Sequence, residues 1–147
     1  DLKGMGTTVV AVVVRDNVAH IAHAGDSRAY IVNKDGVEQI TVDHSLVQNL
    51  VDRGEITKEE AEHHPNKNVI TRALGVDKRI DVDFSEVDLQ ENETLILCTD
   101  GLSNCVNNAE IADDIKDGQY YAFADRLVKR ANKNGGNDNI TVVAIAI

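Results

Sequence analysis

The chain has 147 residues, 42% of them hydrophobic and 27% charged, which is enough for one domain around one core and unlike a disordered chain. Fifteen Lys and Arg face 25 Asp and Glu, a net charge of −10, and a field of that sign repels nucleic acid and anionic lipid. No apolar run approaches the roughly 20 residues that crossing a bilayer requires, so the sequence carries no membrane segment.

Thr7–Val14 is a nearly unbroken β-branched run, the pattern of a strand covered on both faces. Asp16-Asn17 turns it into a second strand, Val18–Ala24, and Arg28–Val32 makes a third. Asp35-Gly36 predicts a hairpin into Val37–Val42, since both residues tolerate positive φ. The first 42 residues thus read as one antiparallel meander. Ser45 then caps a helix carrying Leu46, Val47, Leu50 and Val51, closed by Gly54. Thr57-Lys58-Glu59-Glu60 forms a capping box for a short helix stopped by Pro65. Ile80, Val82 and Phe84 alternate with acids as a one-sided strand, and Thr94–Thr99 is a buried one. Asn107 and Glu110 open a helix that ends at Gly118. A longer helix from Tyr120 to about Asn132 buries Phe123, Ala124, Leu127, Val128 and Ala131. Ile140–Ile147 is the last strand. The fold class is α+β, with a mainly antiparallel sheet and paired helices. The chain stops inside this strand and opens at Asp1 without a leader, so it reads as a piece of a longer protein.

Three aspartates occupy the same kind of position. Asp26, Asp100 and Asp138 each sit at the tip of a buried strand with glycine close by. If the strands are neighbours, the carboxylates meet at one end of the sheet. Like charges 4 Å apart repel by ~4 kcal/mol at a near-surface dielectric of about 20, so the cluster calls for a cation or for protonated carboxyls. An all-oxygen donor set suits a hard ion such as Mg²⁺ or Mn²⁺. Taken singly, each acid is equally ordinary turn chemistry, and pattern alone leaves both readings open.

Six motifs stand in order: Gly4-Met5-Gly6-Thr7-Thr8, H-A-G-D-S-R-A-Y from His23, D-H-S-L-V from Asp43, H-P-N-K-N-V-I-T-R-A-L-G from His64, L-C-T-D-G-L-S from Leu97, and G-G-N-D-N-I-T-V-V from Gly135. Together they resemble the bacterial branch of the metal-dependent Ser/Thr protein phosphatases, the protein phosphatase 2C family, over nearly the whole chain. The resemblance implies an antiparallel β-sandwich flanked by helix pairs, here a partial domain over residues 1–147, incomplete at its N-terminus. It implies two Mn or Mg ions, with Asp100 and Asp138 among their ligands, and a third ion held by Asp26 with Asp100. Residues 43–78 correspond to a mobile flap beside the cleft, a candidate for substrate selection. The implied reaction is two-metal hydrolysis of phosphoserine or phosphothreonine in proteins, without a phospho-enzyme. Implied partners are phosphoprotein substrates and a cognate Ser/Thr protein kinase. The competing readings are a non-catalytic, partner-binding pseudophosphatase and an unrelated acidic cation-binding module.

The family's R-x-x-N-E-D and D-G-M-G-G-H segments do not occur in this sequence. Lys3 precedes Gly4-Met5-Gly6 and Thr7 follows it, so that stretch is the later G-M-G-T-T strand start. The residues present therefore amount to half a site, and the chain alone is expected to be inactive.

Other features invite weaker readings. Asp43-His44-Ser45 spells a triad, but adjacent residues rarely converge as a triad does, so Ser45 is read as a helix cap with His44 exposed. His63-His64 ends a short helix, as a cation near its C-terminus or a flap contact. His20 and His23 face opposite sides of a strand. Arg28 and Arg72 are each either a structural ion pair or a phosphate contact, with the ion pair preferred. Glu59, Glu60 and Glu62 form a solvated helix face. Cys98 and Cys105 lack zinc-site spacing and read as reduced thiols of a cytoplasmic protein.

Overall fold

The computed structural model describes residues 4–116 and 120–147. Its elements are β1 (Val9–Arg15), β2 (Val18–Ala24), β3 (Arg28–Asn33), β4 (Gly36–Gln39), α1 (Leu46–Asp52), α2 (Lys58–Glu62), β5 (Asp83–Asp88), β6 (Thr94–Cys98), α3 (Asp100–Ser103), α4 (Asn108–Lys116), a 3₁₀ turn (Tyr120–Ala122), α5 (Phe123–Lys133) and β7 (Val142–Ala146). The strands form two antiparallel sheets, a three-stranded one in order β1-β2-β5 and a four-stranded one in order β4-β3-β6-β7.

This partition is the β-sandwich that the family resemblance implies, and it corrects the single meander expected from the first 42 residues. Asp16 and Asn17 both take positive φ, 50° and 60°, the backbone of a tight hairpin matched to strand twist, so β1 and β2 pair. Gly25-Asp26-Ser27 is instead a crossing: it carries the chain out of one sheet and into the other, and β2 and β3 do not pair. At the β3–β4 turn only Gly36 takes positive φ, and β4 ends at Gln39 rather than Val42.

The sheets face each other through Ala19, Ile21, Ala29, Ile31, Leu89 and Leu95, with Val10, Val12 and Val87 packed alongside. On the far side of the four-stranded sheet, Tyr30, Val32, Ile96 and Cys98 meet Leu102, Ile111, Phe123, Leu127 and Ala131. Full burial of side chains such as Phe123 and Leu127 contributes about 1.5–3 kcal/mol each. Asp114 clamps α4 to α5 by accepting two hydrogen bonds from Arg130, both 2.7 Å. The layers run sheet, sheet, helix pair.

Among the described residues, the outer face of the three-stranded sheet has no such cover. β1 is an edge strand, with Val13 66% exposed, which corrects the expectation of burial on both faces. Phe84 pairs with Ala22 and is 80% exposed. The alternation around it was read in the wrong phase: Ser85 and Val87 face inward, opposite Ile21 and Ala19.

Local signals behave as expected. The Ser45 hydroxyl accepts from the Gln48 amide, Thr57 and Glu60 form a reciprocal capping box, and so do Asn107 and Glu110. The expected helix end at Gly118 lies outside the described residues. Among those residues no helix is long and apolar enough to cross a membrane.

Candidate metal centre

Strand order alone brings the three aspartates to one rim. Arg28, at the start of β3, pairs with Cys98, at the end of β6, and Cys98 pairs with Val142, at the start of β7. Asp26 lies two residues before β3, Asp100 two after β6 and Asp138 four before β7. In an antiparallel sheet those three ends coincide.

Two motif details hold the loops close. Thr99 stitches the end of β6 to the approach of β7. Its hydroxyl donates to the Asn139 carbonyl (3.1 Å) and accepts from the Thr141 amide (3.0 Å), while its own amide donates to the Thr141 carbonyl. Gly101 follows Asp100 because a side chain there would overlap the Asn139 carbonyl oxygen. At the crossing, Gly25 has φ +116°, and a Cβ would overlap the Thr8 side chain. Beside it, the hydroxyls of Thr8 and the buried Ser27 lie 2.9 Å apart.

Electrostatics reports the same proximity. Burial first, then the carboxylates of Asp100 and Asp43, push the Asp26 carboxyl up to about 6. Burial and then Asp138 raise that of Asp100, which the Gly101 amide partly offsets. Asp26 and Asp100 are half-buried and Asp138 is exposed. Their oxygens do not all fall within 4.8 Å of one another, and Asp100 is the one whose charge acts on Asp26 and which itself feels Asp138. Two half-buried carboxyls, raised first by burial and then by neighbouring carboxylates, beside a third at the same rim have the donor chemistry that fits hard divalent cations.

Arg28 and Arg72 are both committed to carboxylates of the fold. Arg28 donates to Asp43 from Nε (2.9 and 3.1 Å) and Nη2 (2.7 Å), and its Nη1 donates to the Tyr30 hydroxyl (2.9 Å). Arg72 donates to Asp83 at 2.7 Å. Sequence reasoning did not find either acid. The available signal for Asp43 was that an arginine entering a buried strand needs a carboxylate partner.

His44 is the clearest correction. It was expected to be exposed, and it is 6% exposed, stacked on His23 with ring centres 4.5 Å apart. His23 is buried and His20 lies on the outer face, 2.9 Å from Glu86. His23, His44 and Asp83 bring ligand-type atoms within 4.8 Å. Arg72 Nη1 stands 3.0 Å from His44 Nε2 and 2.7 Å from Asp83, so a guanidinium already fills the place a metal would need. Cys98 is buried and Cys105 half-buried, both as free thiols.

Comparison with known proteins agrees with this architecture. A family model described as "Protein phosphatase 2C" matches residues 1–143. A relative named serine/threonine phosphatase stp, from Listeria innocua, is 46% identical over 99% of this chain and 58% of its own length. The crystal structure of serine/threonine phosphatase Stp1 from Staphylococcus aureus superposes with a TM-score of 0.93 at 42% identity, covering 99% of this chain and 57% of that one. The catalytic domain of the serine/threonine protein phosphatase PstP, solved in complex with two manganese ions, gives 0.85 at 36% identity, covering 97% and 59%. The chain spans less than two thirds of the length of these relatives. Its six ordered motifs, its paired antiparallel sheets and the match over residues 1–143 mean that the chain belongs to the protein phosphatase 2C family.

Proposed function

We propose that this chain supplies part of the active site of a metal-dependent phosphatase that hydrolyses phosphoserine and phosphothreonine in proteins. The observation that carries the reading is the arrival of Asp26, Asp100 and Asp138 at one rim of the four-stranded sheet. Asp100 and Asp138 would hold one Mn or Mg ion of a two-metal pair, and Asp26 with Asp100 would hold a third. Bound divalent ions supply Lewis-acid polarisation of the phosphoryl group and an activated water. Thr99 and Gly101 keep the Asp100 and Asp138 loops in contact, and the Arg28–Asp43 pair fixes where the flap over residues 43–78 leaves the sheet. That flap, beside the rim, is the segment we assign to substrate selection. The substrates are phosphoproteins, the natural counterpart is a Ser/Thr protein kinase, and the compartment is a reducing one such as the cytoplasm. Free thiols support the last assignment, Cys98 being held protonated by burial that lifts it to about 12.

The test is Mn²⁺-dependent hydrolysis of a phosphothreonine peptide by a complete phosphatase domain carrying this chain. Asp100→Asn and Asp138→Ala should each lower the rate by several orders of magnitude with the fold unchanged. The 147-residue chain alone should hydrolyse no p-nitrophenyl phosphate. An unchanged rate in either variant would remove that residue from the metal site.

A further inference from the structure

His44 touches more separate parts of the molecule than its place beside a helix cap requires. Its backbone amide donates to the Gly25 carbonyl at 2.9 Å, and its ring Nδ1 accepts from the Gly25 amide at 3.0 Å. One residue therefore grips both polar groups of the glycine that precedes Asp26. Because Nδ1 accepts, the proton of the neutral ring sits on Nε2, which donates to Asp83 Oδ2 at 3.0 Å. Arg72 Nη1, 3.0 Å from the same Nε2, also carries protons, so the two donors share Asp83 as acceptor and do not bond each other. The His44 carbonyl accepts from the Thr71 amide at 2.8 Å, and Leu46 donates to the Val69 carbonyl at 2.9 Å. The two ends of the flap, at 43–46 and 69–72, thus close on His44. The His23 ring packs flat against it, and His23 Nε2 donates to the Val42 carbonyl at 2.9 Å.

We propose that His44 is a positioning residue whose two ring nitrogens have separate tasks. Nδ1 holds the Gly25–Asp26 crossing, and Nε2, through Asp83 and with Arg72, pins both ends of the flap to β5. The flap and the rim then share one side chain, so displacing the flap at its root disturbs the placement of Asp26. The consequence for metal binding rests on the reading of Asp26 as a ligand. The division of tasks does not.

Isosteric variants separate the tasks. The carbonyl of Asn reaches where Nδ1 was, and the amide of Gln reaches where Nε2 was. Backbone amide hydrogen exchange, followed residue by residue by NMR on the 147-residue chain, reads Gly25 for the crossing and Leu46 and Thr71 for the flap ends. In His44→Asn, Gly25 should stay within about threefold of wild type while Leu46 and Thr71 exchange about tenfold faster, the loss of one hydrogen bond to a charged partner. His44→Gln should show the reverse. Asp83→Ala, at a half-exposed side chain that leaves the core intact, should match His44→Asn. Two His44 variants with the same pattern, or Asp83→Ala loosening Gly25 as much as the flap, would overturn the proposal. In a complete phosphatase domain carrying this chain, Mn²⁺ titration followed by electron paramagnetic resonance should show His44→Gln about tenfold weaker than His44→Asn, by the same bond count. A complete domain in which Asp26→Asn leaves Mn²⁺ binding unchanged overturns the ligand reading of Asp26, and the exchange pattern still decides the role of His44.

Discussion

Replacing Asp43 by Ala removes the acceptor of three Arg28 hydrogen bonds while leaving the guanidinium where it is. Breaking a buried pair costs roughly 3–5 kcal/mol. Here the Arg28 and Asp43 side chains are 27% and 13% exposed, so solvent screening reduces the expected loss to about 2–3 kcal/mol. Arg28 keeps the Tyr30 hydroxyl as a partner and still faces Asp26 and Asp100, whose charges offset its own. Arg28→Met should therefore cost more than Asp43→Ala, because it leaves Asp26, Asp43 and Asp100 together without the cation. Urea denaturation with linear extrapolation measures both. At about 2–4 °C per kcal/mol for a chain of this size, Asp43→Ala should lower the melting temperature by about 5–10 °C. A loss below about 0.5 kcal/mol, the range of an exposed pair, would refute the reasoning, and so would an Arg28→Met variant more stable than Asp43→Ala.

The raised carboxyl of Asp26 makes stability depend on pH with a definite sign. Between 3.8 and about 6 the native state keeps a proton that the unfolded state has released, so metal-free stability falls as pH rises through that window and levels off above it. The full shift, at about 1.36 kcal/mol per unit, is ~3 kcal/mol, and screening at this half-buried site brings it to ~1–2 kcal/mol. Urea melts at pH 4 and pH 7 should show a difference of that sign in wild type and a smaller one in Asp26→Asn, where the raised Asp100 carboxyl still contributes. Gly101→Ala forces a methyl against the Asn139 carbonyl and should cost about 1–3 kcal/mol, with weaker Mn²⁺ binding in the same titration. Phe84→Lys, at an 80% exposed site, should change stability by less than about 0.5 kcal/mol and lower the fluorescence of a dye that binds apolar surface.

What could be read from the residues and what could not divide along sequence distance. Ser45, Thr57 and Asn107 act on amides three residues away, so their helix starts are written locally. The rim of acids was readable because strand ends carry it: Asp26, Asp100 and Asp138 needed only the neighbourhood of β3, β6 and β7. The two-sheet partition was legible only through the family resemblance and not in the residues of the first 42 positions, since G-D-S looks like any tight turn and its role as a crossing depends on which strands pair. Phe84 was placed in the wrong phase because Ile80 and Val82 precede the strand proper, which begins at Asp83. His44 was misread for the same reason at longer range. Its partner Asp83 is 39 residues away, and burial conferred by tertiary contact leaves no periodic trace around a single polar residue.

The strand order also divides the molecule unequally around its inserted segment. Asp100 and Asp138 hang from the four-stranded sheet, whose back is braced by α4 and α5, and no part of residues 43–78 enters that sheet. Asp26 sits on a loop that the insert grips at Gly25, whereas near Asp100 the insert reaches only the far end of α3, through Asn68 and Asn104. Evolution can therefore lengthen, shorten or repaint the insert as an exchangeable cassette, changing what is admitted to the rim while two of its three acids stay anchored. The cost of such an exchange falls on the insert's junctions, where the newcomer must still offer a carboxylate to Arg28, an imidazole to Gly25 and a strand partner to Thr7.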